Sequence, residues 1–264
     1  SKIIEQSLRL GLFDVALSSM KDLKKLGESP NFEILTIAMD KSPTDEKKKI
    51  LGILEELVAS YPNDSGLLFT AATFYSQVLS FDKALTVTNA LLREGVDSKK
   101  ISLKARILLG KGEVEKAKDV LRSYLRKNSE DIGVRVLLAQ VLFEQKDFKK
   151  AKAQYQLALE LRPNDGSLLL ALAIISLEQE NDAEAEKIFE RMIRWSLRVD
   201  DAYYHLAEIM ERKKDLPQAL EHYKRVSRGY GFMPSQMRIA SLIETLDGLE
   251  SSRNHFKVQR SVYP

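Results

Sequence analysis

The three histidines are the side chains of this chain best able to bind a metal ion or move a proton. His205, His222 and His255 fall in different helical stretches, and no two have the close spacing of a zinc motif. Glu208 follows His205 by one helical turn, so these two side chains share a helix face. We interpret the histidines as surface residues and predict no metal site.

Covalent and cofactor chemistry lack their usual residues. The chain has no cysteine, which removes disulfides, thiolate metal ligands and cysteine nucleophiles together. The stretch Gly110-Lys111-Gly112 lacks the spacing of a phosphate-binding loop and indicates a turn between two helices. A GxSxG stretch is absent as well. We therefore predict no catalytic, cofactor-binding or metal-binding residue, no cofactor and no enzymatic activity.

Charges are balanced and mixed along the chain. The 41 basic and 38 acidic residues give a formal net charge of +3. Basic runs such as Lys47-Lys48-Lys49 stand beside acidic residues, which is typical of a solvated helix face. We predict that nucleic acid is not a partner. Apolar runs stay shorter than the ~18 to 20 residues of a membrane-spanning helix, so no direct membrane span is predicted.

Alanine recurs in two columns with a period of 34 residues. The first column contains Ala105, Ala139, Ala173 and Ala207, and the second contains Ala117, Ala151, Ala185 and Ala219. Large residues recur in phase with them, namely Leu138, Leu172, Leu206, Tyr155, Phe189 and Tyr223. A small residue lets two helices approach closely where they cross, and the large residues fill the space beside it. The period therefore predicts stacked pairs of helices.

Turn residues separate the predicted helices. Pro62 and Pro163 are each followed by Asn-Asp, a helix stop and then a capping side chain. Asp147 and Asp215 stand before predicted second helices, where a carboxylate can accept hydrogen bonds from free backbone amides.

These residues resemble the tetratricopeptide-repeat family, whose pattern is matched best by Leu138, Ala139, Ala151, Tyr155, Ala158 and Pro163. The resemblance implies an all-α fold, a single right-handed α-solenoid over residues 1–264. Full repeats are predicted at 31–64, 65–97, 98–131, 132–165, 166–199 and 200–232, with a partial repeat at 1–30 and a degenerate one at 233–264, which carries Phe256. Lys104, Arg135 and Ile50 depart from the pattern, and we expect local irregularity near Lys104.

In this family the first helix of each repeat lines a concave groove, and the second, fifth, sixth and ninth positions point into it. The resemblance thus implies a protein-binding groove formed by Phe69, Thr73, Leu103, Arg106, Val136, Leu137, Gln140, Leu170, Ala171, Ile174, Tyr204, His205 and Glu208. Asparagine is missing at the mapped positions. The carboxylate clamp of heat-shock-chaperone receptors and the asparagine ladder of glycosyltransferase arms therefore do not fit.

The centre of this predicted groove is apolar, at Val136, Leu137, Leu170, Ala171 and Ile174. An apolar strip suits the apolar face of an amphipathic partner helix. The alternative is that these residues pack inside the solenoid, and exposed apolar area distinguishes the two. We interpret Trp195 as a packing residue between repeats.

The stretches Asp200–Ala207 and Gln218–Tyr223 also resemble repeat outer-membrane lipoproteins of proteobacteria. One type in that group is an adaptor for a periplasmic carboxyl-terminal processing protease. That resemblance implies a fragment of a longer lipoprotein on the periplasmic side of the outer membrane, with the protease and its clients as partners. Without it, a cytoplasmic location is expected.

Three functions remain open from the sequence. The leading one is a non-catalytic protein–protein interaction scaffold or adaptor that binds a protein or peptide. A second is the recognition arm of an enzyme whose catalytic domain lies outside residues 1–264. The third is a structural module that self-associates through its terminal repeats.

Overall fold

The computed structural model describes residues 2–27 and 44–248. Over these residues all regular secondary structure is helical, which confirms the predicted all-α class. The helices are α1 (Lys2–Arg9), α2 (Phe13–Lys25), α3 (Thr44–Ser60), α4 (Ser65–Gln77), α5 (Phe81–Arg93), α6 (Ser98–Gly110), α7 (Val114–Leu125), α8 (Ile132–Glu144), α9 (Phe148–Leu161), α10 (Gly166–Glu178), α11 (Asp182–Arg194), α12 (Val199–Arg212), α13 (Leu216–Lys224) and α14 (Phe232–Asp247). Residues 31–43 of the predicted repeat 31–64, together with His255 and Phe256, lie outside the described ranges.

The chain divides into two compact units, an N-terminal unit (Ser1–Leu137) and a C-terminal unit (Leu138–Pro264). The division falls inside α8, not at a boundary between predicted repeats. The single solenoid and its repeat boundaries stay predictions. Each unit is described by itself below.

The N-terminal unit has a core of aliphatic and aromatic side chains from α1 to α6. Leu54 and Leu57 of α3 and Leu67 and Phe74 of α4 are fully buried in it. The Asp64 carboxylate accepts a hydrogen bond from the Leu67 amide at 2.9 Å, which caps α4. The predicted capping role of the Asn-Asp turn is therefore confirmed here.

The expected irregularity near Lys104 is wrong. Helix α6 runs unbroken from Ser98 to Gly110. The Lys104 ammonium reaches out of the helix and donates to the side-chain oxygen of Asn89 at 2.8 Å. A long side chain can leave a half-buried position in this way, so the helix need not deform.

The C-terminal unit buries the repeated residues. The six alanines of both columns in this unit have no exposed surface, and Phe189 and Tyr223 are buried beside them. Asp147 and Asp215 accept hydrogen bonds from the amides of Lys150 and Gln218, which confirms their predicted capping role. A larger side chain at an alanine position would therefore overpack a crossing between helices.

The turn between the two helices of a pair repeats one backbone conformation. Positive φ angles occur at Leu79, Gly112, Lys146, Glu180 and Lys214. At each turn the next residue donates its amide to the carbonyl five residues earlier, a Schellman closure. Of these five residues, Gly112 alone adopts this conformation without a steric cost from a Cβ atom. The turn geometry fixes where each second helix starts.

Candidate protein-binding surfaces

The predicted groove residues of α4 and α6 are only partly open. Phe69 and Leu103 are half-buried and pack against the core of the N-terminal unit. The Thr73 hydroxyl donates to the Phe69 carbonyl at 2.9 Å, while Arg106 is exposed. Of these four side chains, only Arg106 extends freely into solvent.

Helix α8 carries three predicted groove residues with different exposure. Val136 is half-buried and Gln140 is exposed, whereas Leu137 is only 8% exposed. Leu137 therefore contributes mainly to packing. The apolar strip expected from the sequence is not uniformly open.

Helix α10 presents the largest part of that strip. Leu170, Ala171 and Ile174 are all half-buried and line a pocket of about 230 Å³ together with Phe143, Tyr155 and Ser167. We call these six residues the α10 pocket. Helical spacing explains the grouping, because residues three, four and seven positions apart share one face. The Asp165 carboxylate fixes the start of the helix by accepting hydrogen bonds from the amides of Ser167 and Leu168.

The α10 pocket can hold an apolar side chain. Its volume lies below the ~300 to 1,000 Å³ of typical small-molecule sites. Its walls are apolar apart from the hydroxyls of Ser167 and Tyr155. Burial, and then the negative charge of Glu144, raise the pKa of Tyr155, so its hydroxyl is neutral near pH 7. The pocket thus offers contact area without charge.

Helix α12 presents a polar surface at its predicted groove positions. His205 Nδ1 lies 2.8 Å from a carboxylate oxygen of Glu208, which confirms that these residues pair across one turn. Because a carboxylate only accepts, Nδ1 carries the proton. In the neutral ring Nε2 then accepts from the hydroxyl of Tyr230.

Aromatic rings surround this pair. The His205 ring stacks on Phe189 at 5.4 Å between centroids, and Tyr204 meets it edge-on at 5.1 Å. Tyr204 also meets Tyr230 at 5.6 Å. We call Phe189, Tyr204, His205, Glu208 and Tyr230 the α12 cluster. Such packing holds the imidazole in one orientation.

Charge and burial oppose each other at Glu208. Burial disfavours ionisation of the carboxyl, but the hydrogen bond and charge of His205 and the hydrogen bond of Tyr204 outweigh it, so the pKa is lowered. At Tyr204, burial and then the Glu208 charge raise the pKa. Glu208 is therefore ionised and Tyr204 neutral near pH 7.

The other residues considered as functional candidates do not form a site in the described part of the chain. His222 packs against Tyr203 at 5.8 Å, and burial followed by the Arg225 charge lowers its pKa. Over the described ranges no group of three or more His, Asp or Glu residues could hold a metal ion. Trp195 follows the last residue of α11, is 43% exposed and lies against Arg191 of that helix at 4.2 Å, rather than buried between repeats.

Three residues of these surfaces escaped the sequence analysis. Phe143 follows Val136 by seven residues and Ser167 precedes Ile174 by seven, so helical spacing could have added both to the strip. Tyr230 lies in the connection between α13 and α14. No periodic signal marks it, since its contact depends on how that connection turns.

Helices in 2–27 and 44–248 are all too short or too polar to cross a membrane.

Comparison with known proteins supports the tetratricopeptide-repeat family. One tetratricopeptide-repeat model matches residues 108–173 and 142–205, and a second matches residues 201–230. A TPR repeat-containing protein from Pseudomonas aeruginosa is 25% identical over 259 residues, which is 98% of this chain and 44% of the relative. The chain thus spans less than half the length of that curated relative.

Two solved structures show the same fold at low identity. A tetratricopeptide repeat protein from Parabacteroides merdae is 16% identical with a TM-score of 0.52, covering 92% of this chain and 100% of that one. Pseudomonas aeruginosa pilF is 16% identical with a TM-score of 0.56, covering 76% and 92%. The fold class is an α-solenoid, and tetratricopeptide repeats generally act as protein-interaction scaffolds.

Proposed function

We propose that this chain is a non-catalytic scaffold whose α10 pocket holds the apolar face of an amphipathic helix from a partner protein. The observation that carries this proposal is the half-buried apolar surface of Leu170, Ala171 and Ile174, which lines a pocket of about 230 Å³. Leu169, Leu172 and Ala173 of the same helix are buried in the core. Folding therefore accounts fully for those three residues, whereas Leu170, Ala171 and Ile174 keep part of their surface open, although Leu170 also packs against the core.

The chemistry of the pocket favours a helix as occupant. An amphipathic helix places apolar anchors three and four residues apart, and such anchors suit a row of apolar positions with the same spacing. The pocket is uncharged, so the partner need not lose the hydration of an ion there. Affinity should come from one or two anchor side chains buried at the centre of the contact.

A finer proposal concerns the biological setting. We propose that the chain is part of a cell-envelope adaptor that presents clients to a periplasmic carboxyl-terminal processing protease. The support is the resemblance of Asp200–Ala207 and Gln218–Tyr223 to repeat outer-membrane lipoproteins. The repeat-containing relative from Pseudomonas aeruginosa, similar over nearly the whole chain, adds support for the repeat part of this proposal.

Paired substitutions test the α10 pocket. Leu170→Glu with Ile174→Glu places two charges in the apolar contact, and we expect partner affinity to fall by about tenfold or more. The matched control is Leu157→Glu with Leu161→Glu, which makes the same charge change at two leucines that are each 41% exposed. Quantitative affinity capture from the envelope fraction, with thermal melting of each variant, measures both effects.

Two different results would contradict the proposal that the α10 pocket binds the partner. Capture of the same partners by the Leu170/Ile174 variant would place the binding surface elsewhere. A lower melting temperature in that variant alone would show that the strip is part of the core.

The proposed biological setting is tested independently. The captured client should be cleaved faster by the purified protease when the parent chain is present, and an unchanged cleavage rate contradicts the adaptor role.

A further inference from the structure

A second pocket, of about 780 Å³, lies in the N-terminal unit between α5, α6 and α7. Its volume falls within the ~300 to 1,000 Å³ of ligand-binding pockets. Leu92, Ile101, Val120 and Tyr124 give it apolar walls. Val96 also lines it and is 59% exposed. The pocket therefore presents apolar surface to solvent.

Three cations line the same pocket without an acidic partner. The Lys104 ammonium contacts the neutral amide of Asn89 at 2.8 Å, and the Arg126 guanidinium contacts the hydroxyl of Ser123 at 2.9 Å. Among the residues the structure describes, no carboxylate lies within 4.0 Å of Lys104, Arg126 or Lys127.

Three nearby lysines are paired with carboxylates instead. Lys111, Lys116 and Lys118 each lie within 3.2 Å of a carboxylate. Asp119, the acid that lines the pocket, lies 3.6 Å from Arg122. The Tyr124 hydroxyl donates to the Asp131 carboxylate at 3.1 Å, so that acid is engaged at the pocket wall. The pocket thus combines apolar walls with three cations that have no carboxylate of the described residues within 4.0 Å.

We propose that this pocket binds an acidic, apolar-anchored peptide segment of a partner protein. A leucine-like side chain would occupy the apolar walls, and neighbouring glutamate or aspartate side chains would meet Lys104, Arg126 and Lys127. Charge complementarity favours such an occupant over a basic or neutral peptide. A nucleic acid fits less well, because backbone binding uses an extended basic stripe, whereas this is a single cluster around an apolar cavity.

This site goes beyond the α10 pocket in chemistry and in position along the chain. The α10 pocket is uncharged and belongs to the C-terminal unit, whereas this one is charge-selective and belongs to the N-terminal unit. An adaptor must hold two partners at once. One apolar and one charge-selective surface would let it tell those partners apart.

The probe is a fluorescein-labelled synthetic peptide in which leucine pairs alternate with glutamate pairs. Two matched peptides replace glutamate by lysine or leucine by serine. We expect anisotropy to report binding of the Leu/Glu peptide alone, because both parts of the pocket are needed. Binding should weaken as salt rises, since exposed charges are screened.

Variants of the intact chain localise the site. Arg126→Glu with Lys127→Glu should lower the affinity for the Leu/Glu peptide at least about tenfold. Val96→Glu should also lower this affinity, because it places a negative charge like those of the peptide at the opening of the pocket. All three residues are exposed, so melting should stay near that of the parent. Lys149→Glu with Lys187→Glu makes the same charge change at exposed lysines of the C-terminal unit and should leave binding unchanged.

Several results would overturn the site. No binding of the Leu/Glu peptide, or equal binding of the Leu/Lys peptide, rejects the charge-selective pocket. Displacement of the peptide by short duplex DNA would indicate a nucleic acid surface instead. If Leu170→Glu with Ile174→Glu abolishes binding while Arg126→Glu with Lys127→Glu does not, the peptide occupies the α10 pocket and this inference fails alone.

Discussion

Helices α10 and α12 bury the same kinds of residue but differ in the polarity of their more exposed residues. Ala173 and Ala207 have no exposed surface, and Leu172 and Leu206 beside them are about equally buried. The open positions of one helix correspond to those of the other at the same interval of 34 residues. The corresponding positions carry Leu170, Ala171 and Ile174 in α10, and Tyr204, His205 and Glu208 in α12.

The difference shows which positions the fold constrains. An alanine at a helix crossing has no room to change, because any added atom meets the neighbouring backbone. The open positions touch fewer neighbours, so the same backbone carries an apolar pocket on α10 and a hydrogen-bonded cluster on α12. The α10 side chains form an apolar, half-buried surface, whereas those of the α12 cluster make hydrogen bonds and ring contacts with one another.

The largest expected effect separates the two sides of α10. Ala173→Glu buries a charge without a partner and should destabilise the C-terminal unit by roughly 3 kcal/mol or more. Ile174→Glu changes the next residue, which is half-buried, and should cost far less. Urea unfolding followed by circular dichroism measures both. Equal losses would mean that α10 has no open side, which would break the comparison with α12.

A smaller effect tests how tightly the α12 cluster is packed. A Cβ atom at Gly231 would lie 2.8 Å from Cγ of Tyr204, too close for the ring to avoid by a small rotation. We expect Gly231→Ala to cost about 1 to 3 kcal/mol by displacing Tyr204.

Gly52 provides the control for that change. It lies inside α3, and a Cβ atom added there would meet no other part of the chain within 4 Å. Gly52→Ala should therefore stabilise the chain by about 0.4 to 1 kcal/mol. Thermal melting distinguishes the two signs. A gain in stability from Gly231→Ala would show that the α12 cluster is loosely packed, like the α10 pocket.

Helical periodicity predicts the buried side well and the open side poorly. The alanine columns could be found because each crossing requires a small residue at every repeat. The family resemblance implies a groove position for Leu137, but it cannot say how much of a leucine its neighbours cover, and Leu137 is buried. At Lys104 the sequence pattern predicted too much. Its departure from the pattern predicted a distorted helix, but the flexible lysine side chain extends to Asn89 and the helix stays regular.

The smallest expected effect concerns the His205–Glu208 hydrogen bond that distinguishes α12 from α10. Glu208→Gln keeps the size of the side chain but loses the charge-assisted hydrogen bond from His205, for which we expect about 1 kcal/mol at pH 7 because Glu208 is only half-buried. Glu178→Gln, at an exposed position of α10, is the control and should change stability by less than about 0.5 kcal/mol.

The pH dependence of that effect has a fixed sign. The pKa of Glu208 is lower in the folded chain than in the unfolded chain, where a glutamate titrates near about 4.3. Its contribution to the free energy of unfolding is therefore complete above that pH and disappears as pH falls through the folded value. The unfolding free energies of parent and Glu208→Gln, measured with urea, should thus differ above that pH and converge as the pH falls below it. A difference that persists or grows below about pH 4 would mean that the lost contact is one of packing rather than charge. In that case α10 and α12 would differ in shape alone.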